Sequence, residues 1–200
     1  SNQNYQRNAI SSNSIDLNIL NRDWSYVTES KGVIAFASPV VQDDVVVVTT
    51  DRGWLIAIDI QTGEELWSLR LSNQMRSTPT IEYGKIYVSG GVDNHIYAIE
   101  LKTGRTIWST NVGQPGIYEA PVVKDGVVYV SSGLDGEAEL LALNAENGDI
   151  KWSVNLSGPA FYGPAMGDDY LYVGTYDNKT LTAINPIDGS VVWNYIPEER

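Results

Sequence analysis

The stretch Ala57-Ile-Asp-Ile-Gln-Thr-Gly63-Glu-Glu-Leu-Trp67 decides the fold, because its frame returns three more times along the chain. Alanine, glycine and tryptophan occupy positions 1, 7 and 11 of the stretch in every copy. A frame that returns at a fixed period is typical of a repeat architecture. The copies are Ala57, Gly63 and Trp67; Ala98, Gly104 and Trp108; Ala142, Gly148 and Trp152; and Ala183, Gly189 and Trp193.

The period extends beyond this motif. Five tryptophans, the first of them Trp24, are spaced by 43, 41, 44 and 41 residues, and only Trp54 is out of phase. A set of prolines keeps the same register, so three residue types share one period. The chain is therefore an array of repeats of roughly 40 residues. The prolines are Pro39, Pro79, Pro121 and Pro164.

Each motif predicts a tight hairpin and a contact between repeats. The glycine at position 7 follows Thr, Asn or Asp and supplies the positive φ that a hairpin turn needs. The tryptophan at position 11 then lies on the outgoing strand. The small alanine and the glycine leave a slot in which the indole of a neighbouring repeat can lie flat. We therefore interpret all twelve motif residues as structural docking residues.

Each repeat has the pattern of four short strands, which in the first repeat are 38–42, 45–50, 55–60 and 65–71. The second strand is almost continuously apolar in every repeat, as expected for a strand covered on both faces. The chain is predicted to be all-β, a β-propeller of four-stranded antiparallel blades. Residues 1–22 are predicted to be a linker or tail, and residues 23–200 the repeats. The blades are predicted at about 35–71, 77–112, 118–156 and 161–196, with one extra outer strand at Trp24–Val27.

The motif resembles the tryptophan-docking motif of the PQQ-like β-propeller family, which includes quinoprotein dehydrogenases and many non-catalytic relatives. The resemblance covers roughly residues 23 to 196. Members of this family typically have about eight blades, which implies roughly twice this length. Three interpretations stay open: a fragment of a longer protein, which is favoured; a homodimer that completes an eight-bladed ring; and an open arc.

Composition excludes several classes of partner. The chain carries 25 acidic and 13 basic residues, a net charge of -12, so it repels nucleic acid. It contains no cysteine, which excludes disulfides and thiolate metal sites. No apolar run reaches about 18 residues, so no transmembrane segment is predicted. The resemblance implies an extracytoplasmic location, in the periplasm or at the cell surface.

The candidate binding residues lie just before the repeat prolines. The positions two and three residues before each proline vary in type, whereas the framework around them repeats. These positions should surround the mouth of the propeller channel, and variable positions on a rigid scaffold commonly bind ligands. The candidate ligand-binding residues are Phe36, Arg76, Tyr118, Glu119, Phe161 and Tyr162.

No catalytic residue or metal ligand is predicted. His95 is the only histidine, and we expect it in a solvated hairpin turn beside Asp93. One histidine without cysteine cannot build a zinc site. An aspartate follows the second strand of each repeat, where it is expected to close its own turn. These aspartates are Asp51, Asp93, Asp135 and Asp177.

The leading hypothesis is a non-catalytic scaffold without a cofactor that binds a protein partner or a small ligand at its mouth loops. The resemblance implies such roles, because similar propellers occur in outer-membrane assembly lipoproteins and in sensor domains of receptor kinases. A first alternative is a fragment of a dehydrogenase that uses PQQ with calcium. The paired cysteines usual in those enzymes are missing here. A second alternative is a carbohydrate-binding surface protein.

Overall fold

The computed structural model describes residues 24–34, 37–113, 116, 119–133, 138–156, 158–160, 163–176 and 179–197. These residues form four four-stranded antiparallel sheets, one for each sequence repeat. In every sheet the strands pair in chain order, so each sheet is a meander. A short 3-10 helix, Glu29–Lys31, precedes the first sheet. The prediction of an all-β propeller with four-stranded blades is confirmed.

The four blades have the following strands. Blade 1 contains β1 (Val40–Gln42), β2 (Val45–Thr49), β3 (Trp54–Asp59) and β4 (Glu65–Arg70). Blade 2 contains β5 (Thr80–Glu82), β6 (Lys85–Ser89), β7 (His95–Glu100) and β8 (Thr106–Asn111). Blade 3 contains β9 (Val122–Lys124), β10 (Val127–Ser132), β11 (Glu139–Asn144) and β12 (Ile150–Asn155). Blade 4 contains β13 (Ala165–Met166), β14 (Leu171–Thr175), β15 (Thr180–Ile184) and β16 (Val191–Tyr195).

The core is a series of apolar layers between neighbouring blades. Leu55 of blade 1 packs with Ile86 of blade 2 in one layer, and Tyr129 of blade 3 packs with Leu171 of blade 4 in another. Both faces of a middle strand therefore contribute to a core layer, which explains its continuous apolar sequence. Burial of this surface is the main favourable contribution to the free energy of folding.

The motif tryptophans cross from one blade to the next. A Cβ atom placed on Gly104, Gly148 or Gly189 would lie 2.6 to 2.7 Å from a ring atom of the preceding blade's tryptophan. Each indole N–H also donates a hydrogen bond to a carbonyl three residues after the motif alanine. The pairs are Trp67 to Leu101 at 2.9 Å, Trp108 to Ala145 at 3.0 Å and Trp152 to Pro186 at 3.2 Å.

Trp24 docks on blade 1 in the same way. Its indole donates to the carbonyl of Ile60 at 2.8 Å and covers Gly63. Residues 24–28 nevertheless pair with no strand of the described chain, so the predicted extra outer strand is not formed there. An outer strand needs its own blade's third strand as a partner, and no such strand lies beside this segment in the described residues.

Glu65 anchors the segment that carries Trp24. Its carboxylate accepts hydrogen bonds from the Lys31 Nζ at 2.5 and 2.6 Å and from the Tyr26 hydroxyl. Burial opposes ionisation of Glu65, but hydrogen bonds from Lys31, Tyr26 and Ser68 outweigh it and lower the pKa to about 2. The segment 24–34 is therefore held on blade 1 by an ion pair as well as by the indole.

The tryptophan contact can be tested with two glycines of matched backbone geometry. Gly148 has φ +76 and Gly126 has φ +75. At either position an alanine in this left-handed conformation lowers the stability of the folded state by about 1–2 kcal/mol. At Gly148 the new Cβ would meet the Thr110 Oγ1 at 2.5 Å and the Trp108 ring at 2.6 Å; at Gly126 it meets nothing within 4 Å. We expect Gly148→Ala to lower the free energy of unfolding by a further 1–3 kcal/mol or so, measured by urea denaturation. Equal losses in the two variants would contradict tight docking of Trp108.

Candidate functional site

The connectors that precede the innermost strands lie on one face of the array, which we call the mouth face. It comprises the described residues of the connectors 71–79, 112–121 and 156–164, together with the turns after the second strands, such as 50–53 and 90–94. Antiparallel pairing in chain order places all of these segments at the same end of their strands. Of the candidate binding residues, Arg76 and Glu119 lie in the described parts of these connectors.

Hydroxyl groups tie the connectors 71–79 and 112–121 to their preceding blades. Thr49 is the last residue of β2, and its hydroxyl donates to the carbonyl of Ser77 at 2.8 Å. Ser89 ends β6 at the equivalent position and donates to the carbonyl of Glu119 at 2.8 Å. Both hydroxyls are buried. The backbone two residues before the repeat proline is thus fixed in both connectors.

Ser77 links two connectors directly. Its side chain is fully buried, and its hydroxyl donates to the carbonyl of Glu119 at 2.8 Å. The Glu119 carbonyl therefore accepts two hydroxyl hydrogen bonds, one from Ser77 and one from Ser89. Buried hydrogen bonds of this kind are costly to break, so the inner ends of the connectors form a stiff frame.

Arg76 is an exposed residue next to Ser77 of that frame. It is exposed, whereas its neighbours Met75 and Ser77 are fully buried. The buried neighbours fix the backbone on both sides of the arginine. Position 76 therefore carries an exposed cationic side chain on a rigid base, and its role in binding stays a prediction.

In the mouth frame, the carboxyl group of Glu119 has a raised pKa. Burial raises its pKa, and the hydrogen bond from the Gly163 backbone N–H opposes that rise only in part. Gly163 lies against the next backbone unit, since a Cβ there would be 2.9 Å from the Ala120 carbonyl oxygen. The carboxyl group thus joins the mouth connectors of blades 3 and 4.

The other four candidate residues are not among those that the structure describes. Of the predicted set, Arg76 and Glu119 are described, and they lie in successive connectors. Two of the four turn aspartates also fall outside the described residues. The candidates outside are Phe36, Tyr118, Phe161 and Tyr162, and the aspartates are Asp135 and Asp177.

A depression of about 450 Å³ lies on the mouth face between blades 1 and 2. Within it Arg70 donates to the Asn73 Oδ1 at 3.2 Å. The repeat pattern does not predict this depression, because its lining comes from the end of one blade's outer strand and a turn of the next blade. Only Asp93 had been singled out, as a turn residue. The lining residues are Arg70, Leu71, Ser72, Asn73, Val92 and Asp93.

His95 is not in a solvated turn, so that prediction is wrong. It is the first residue of β7, partly buried, and its ring packs 5.9 Å from that of Tyr97. Asp93 holds this arrangement: its Oδ1 accepts from the His95 N–H at 3.0 Å and its Oδ2 from the Tyr97 hydroxyl at 2.6 Å. Burial raises the pKa of Tyr97, and the Asp93 carboxylate raises it further.

The two described turn aspartates differ in role. Asp93 closes its own turn as expected. The Asp51 Oδ1 instead accepts from the Val33 N–H at 2.8 Å and so fastens the segment 24–34 to blade 1. The difference arises because only blade 1 is covered by that segment. Sequence position alone cannot reveal such a distant donor.

The described residues contain no group of three or more His, Asp or Glu side chains that could hold a metal ion. None of the helices described is long and apolar enough to cross a membrane.

Four-stranded meander blades joined through docked tryptophans define a β-propeller repeat protein. A family profile described as "Outer membrane protein assembly factor BamB" matches residues 18–117 and 92–199. The chain therefore belongs to this family of PQQ-like β-propeller repeats.

Individual relatives include assembly factors and dehydrogenases. The outer membrane protein assembly factor BamB of Moranella endobia is 30% identical over 85% of this chain and 47% of its own length. The quinohemoprotein alcohol dehydrogenase ADH IIB of Pseudomonas putida is 27% identical over 76% of this chain and 24% of its own length. The crystal structure of BamB from Moraxella catarrhalis shares the fold, with a TM-score of 0.71 and 21% identity over 88% of this chain and 55% of that one. The chain thus spans about half the length of these assembly factors.

The buried carboxyl group of the mouth predicts a specific pH dependence. Because burial raises the pKa of Glu119, the folded chain keeps a proton that the unfolded chain has released. The free energy of unfolding therefore falls as pH rises from the ordinary glutamate pKa of 4.5 through the raised one. Glu119→Gln removes this penalty and its side-chain carbonyl still accepts from Gly163, so we expect its stability relative to the parent to rise as the pH increases from 4.5 through the raised pKa. Urea unfolding across that range measures the difference.

The exposed Glu64 provides the matched control. We expect Glu64→Gln to track the parent at every pH. A parallel pH profile for Glu119→Gln and Glu64→Gln would contradict a burial penalty at Glu119.

Proposed function

We propose that this chain is a non-catalytic, extracytoplasmic propeller scaffold that binds a protein partner through its mouth face. The observation that carries the proposal is the buried hydroxyl frame of Thr49, Ser77 and Ser89, which fixes the backbone beneath exposed side chains. The relationship to outer membrane protein assembly factors supports the proposal. In one such relative the similarity extends over 85% of this chain.

A stiff frame suits recognition of another protein. Loops that are ordered before binding lose less conformational entropy when they bind, so more of the contact energy appears as affinity. The mouth face combines such loops with a depression lined by polar side chains. The repeats of this chain differ at the positions two and three before their prolines, while each repeat keeps its motif tryptophan.

The charges on the mouth face indicate the chemistry of the partner. Arg70 and Arg76 are both exposed there, in a chain whose net charge is -12. Arginine is over-represented among residues that dominate binding energy, and it pairs with carboxylates in two-pronged fashion. We therefore expect the bound segment of the partner to carry carboxylates.

The dehydrogenase alternative is favoured by the relationship to the quinohemoprotein alcohol dehydrogenase of Pseudomonas putida. PQQ would require Ca²⁺, and Ca²⁺ requires six to eight converging oxygens. The described residues contain no group of three or more His, Asp or Glu side chains that could hold a metal ion, and the Glu119 carboxyl accepts from the Gly163 backbone N–H. The described residues therefore do not fit this cofactor. The relatives lend no support to carbohydrate binding.

Photo-crosslinking at matched positions tests the scaffold proposal. Arg76 lies on the mouth face, and the exposed Lys102 lies in the turn between β7 and β8 on the opposite face. We replace each with a photo-reactive phenylalanine analogue in a Gram-negative host and identify adducts by mass spectrometry. Position 76 should yield adducts with a component of outer-membrane protein assembly at least about tenfold more abundant than those from position 102. Equal yields at both positions would contradict a partner site on the mouth face.

Cofactor binding is tested directly by titrating the chain with PQQ and Ca²⁺ while following tryptophan fluorescence. We expect no saturable quenching up to about 100 µM and no rise of Tm beyond about 1 °C. A ligand that binds the folded state tightly would stabilise it and raise the Tm. The Pseudomonas putida dehydrogenase is the positive control. Saturable binding together with dye-linked alcohol oxidation would replace the scaffold proposal with the enzymatic one.

A further inference from the structure

The depression between blades 1 and 2 carries one charge of each sign. Arg70 lines it from the end of β4, and Asp93 lines it from the turn after β6. Both belong to the described residues, and no ion pair joins them. The depression therefore contains a cation and an anion that are not bonded to each other, and both are available to a ligand that carries the opposite charges.

Arg70 departs from the repeat. It stands three residues after the motif tryptophan, where the later blades have Asn111, Asn155 and Ile196. In blade 2 the shorter Asn111 caps its own connector, because its Oδ1 accepts from the Gly113 N–H at 2.8 Å. The blade framework thus does not require an arginine at this position. A charged side chain that the framework does not require, on a loop at the end of a rigid blade, is a candidate for binding.

Two neutral donors hold Asp93 in place. Its Oδ1 accepts from the His95 N–H at 3.0 Å, and its Oδ2 accepts from the Tyr97 hydroxyl at 2.6 Å. A Cβ on Gly90 would lie 2.1 Å from the same Oδ1, so the turn leaves the carboxylate little room to move. Each carboxylate oxygen can accept a second hydrogen bond. An ammonium group in the depression would supply that bond together with the opposite charge.

The opposite wall of the depression is fixed as well. Leu71 and Ser72 follow β4, and the Leu71 N–H donates to the Gly53 carbonyl at 2.9 Å. A Cβ on Gly53 would be 2.1 Å from the Ser72 carbonyl oxygen, so the connector and this turn are in direct contact. The Tyr97 hydroxyl, which holds Asp93, also lies 3.2 Å from the Leu71 carbonyl oxygen. Both walls are therefore ordered before a ligand binds, which lowers the entropic cost of binding.

The depression has the size and the mixed lining of a small-molecule site. Its volume of about 450 Å³ lies within the range of about 300–1,000 Å³ that such sites occupy. Val92 lines it with an aliphatic side chain that is 42% exposed, and Leu71 also belongs to the lining. A matching ligand is small and carries an ammonium, a carboxylate and an aliphatic group. A free α-amino acid with an aliphatic side chain combines these three groups.

We propose that this depression binds a free aliphatic α-amino acid. The Arg70 guanidinium binds the α-carboxylate, the Asp93 carboxylate binds the α-ammonium, and Val92 contacts the aliphatic side chain. Asn73 positions the arginine, because its Oδ1 accepts from the guanidinium at 3.2 Å and leaves further N–H groups for the ligand. This small-molecule site goes beyond the protein-binding role of the mouth face and does not depend on it.

The test is a titration of the full chain with L-leucine, followed by the NMR signals of His95. This residue is the only histidine, and its Nδ1 lies 2.6 Å from the Asp93 backbone oxygen, so its ring protons report on the site. We expect shifts that saturate with a dissociation constant below about 1 mM. Shifts that do not saturate up to about 10 mM leucine would overturn the proposal.

Two leucine derivatives separate the charged contacts. N-acetyl-L-leucine keeps the carboxylate without the ammonium, and L-leucine amide keeps the ammonium without the carboxylate. Each should bind at least about tenfold more weakly than leucine, because each lacks the hydrogen bonds of one charged group. Equal affinity for leucine and either derivative would rule out recognition of both charges.

Substitutions assign each contact to its residue. Arg70→Gln should weaken leucine binding at least about tenfold but change the affinity for leucine amide less than about twofold, because the amide has no carboxylate to lose. Asp93→Asn should have the same pair of effects on leucine and N-acetyl-leucine. Its new amide can donate to the Tyr97 oxygen, whose hydroxyl then donates to the Leu71 carbonyl, so the turn keeps its hydrogen bonds.

Arg105→Gln is the matched control for the exposed arginine. Arg105 lies in the turn between β7 and β8 on the opposite face, where it pairs with Glu100 at 3.6 Å. We expect this variant to bind leucine and both derivatives as the parent does. The proposal fails if Arg70→Gln and Arg105→Gln weaken leucine binding equally, or if Arg70→Gln weakens leucine and leucine amide by the same factor.

Discussion

The indole that reaches from one blade to a backbone carbonyl of the next is the interaction on which the rest of this structure depends. It requires three things at once: a hydrogen-bond donor at the far edge of a large flat ring, a glycine to lie beneath the ring, and a turn that brings both into reach. The apolar layers contribute most of the favourable free energy of folding, but the hydrophobic effect is non-directional and does not orient one sheet against another. The indole fixes the position of each sheet against its neighbour. The positions of the mouth connectors follow from the positions of the sheets that they join.

Stiffness at the mouth follows from the same constraint. The hydroxyls that end the second strands can reach the next connector only because the blades meet at a fixed spacing. Ser77 and Glu119 then join successive connectors, so the frame behind Arg76 extends over more than one blade. A carboxyl group drawn into this frame loses water and is harder to ionise. Recognition and stability are therefore coupled at Glu119, since the residue belongs to both the frame and the face.

The features that could be predicted from sequence were those encoded within one repeat. The spacing of alanine, glycine and tryptophan determines a hairpin and a docking slot, and blade 1 forms within two residues of the expected strand limits. Features that need two distant segments escaped prediction. Asp51 binds Val33 instead of its own turn, the pocket joins the end of one blade to a turn of the next, and residues 24–28 pair with no strand among the described residues. His95 was misplaced because its immediate neighbours suggest a turn, whereas its ring is held by Asp93 and Tyr97.

The indole contacts also give the array a polarity. Trp67, Trp108 and Trp152 each donate towards the C-terminus, and each acceptor carbonyl faces the blade before it. One whole period can therefore be added or removed without leaving an unmatched donor or acceptor inside the array, whereas an insertion of any other length separates a ring from its slot. Such a chain grows or shrinks in units of one blade, much as a polymer changes length by one monomer.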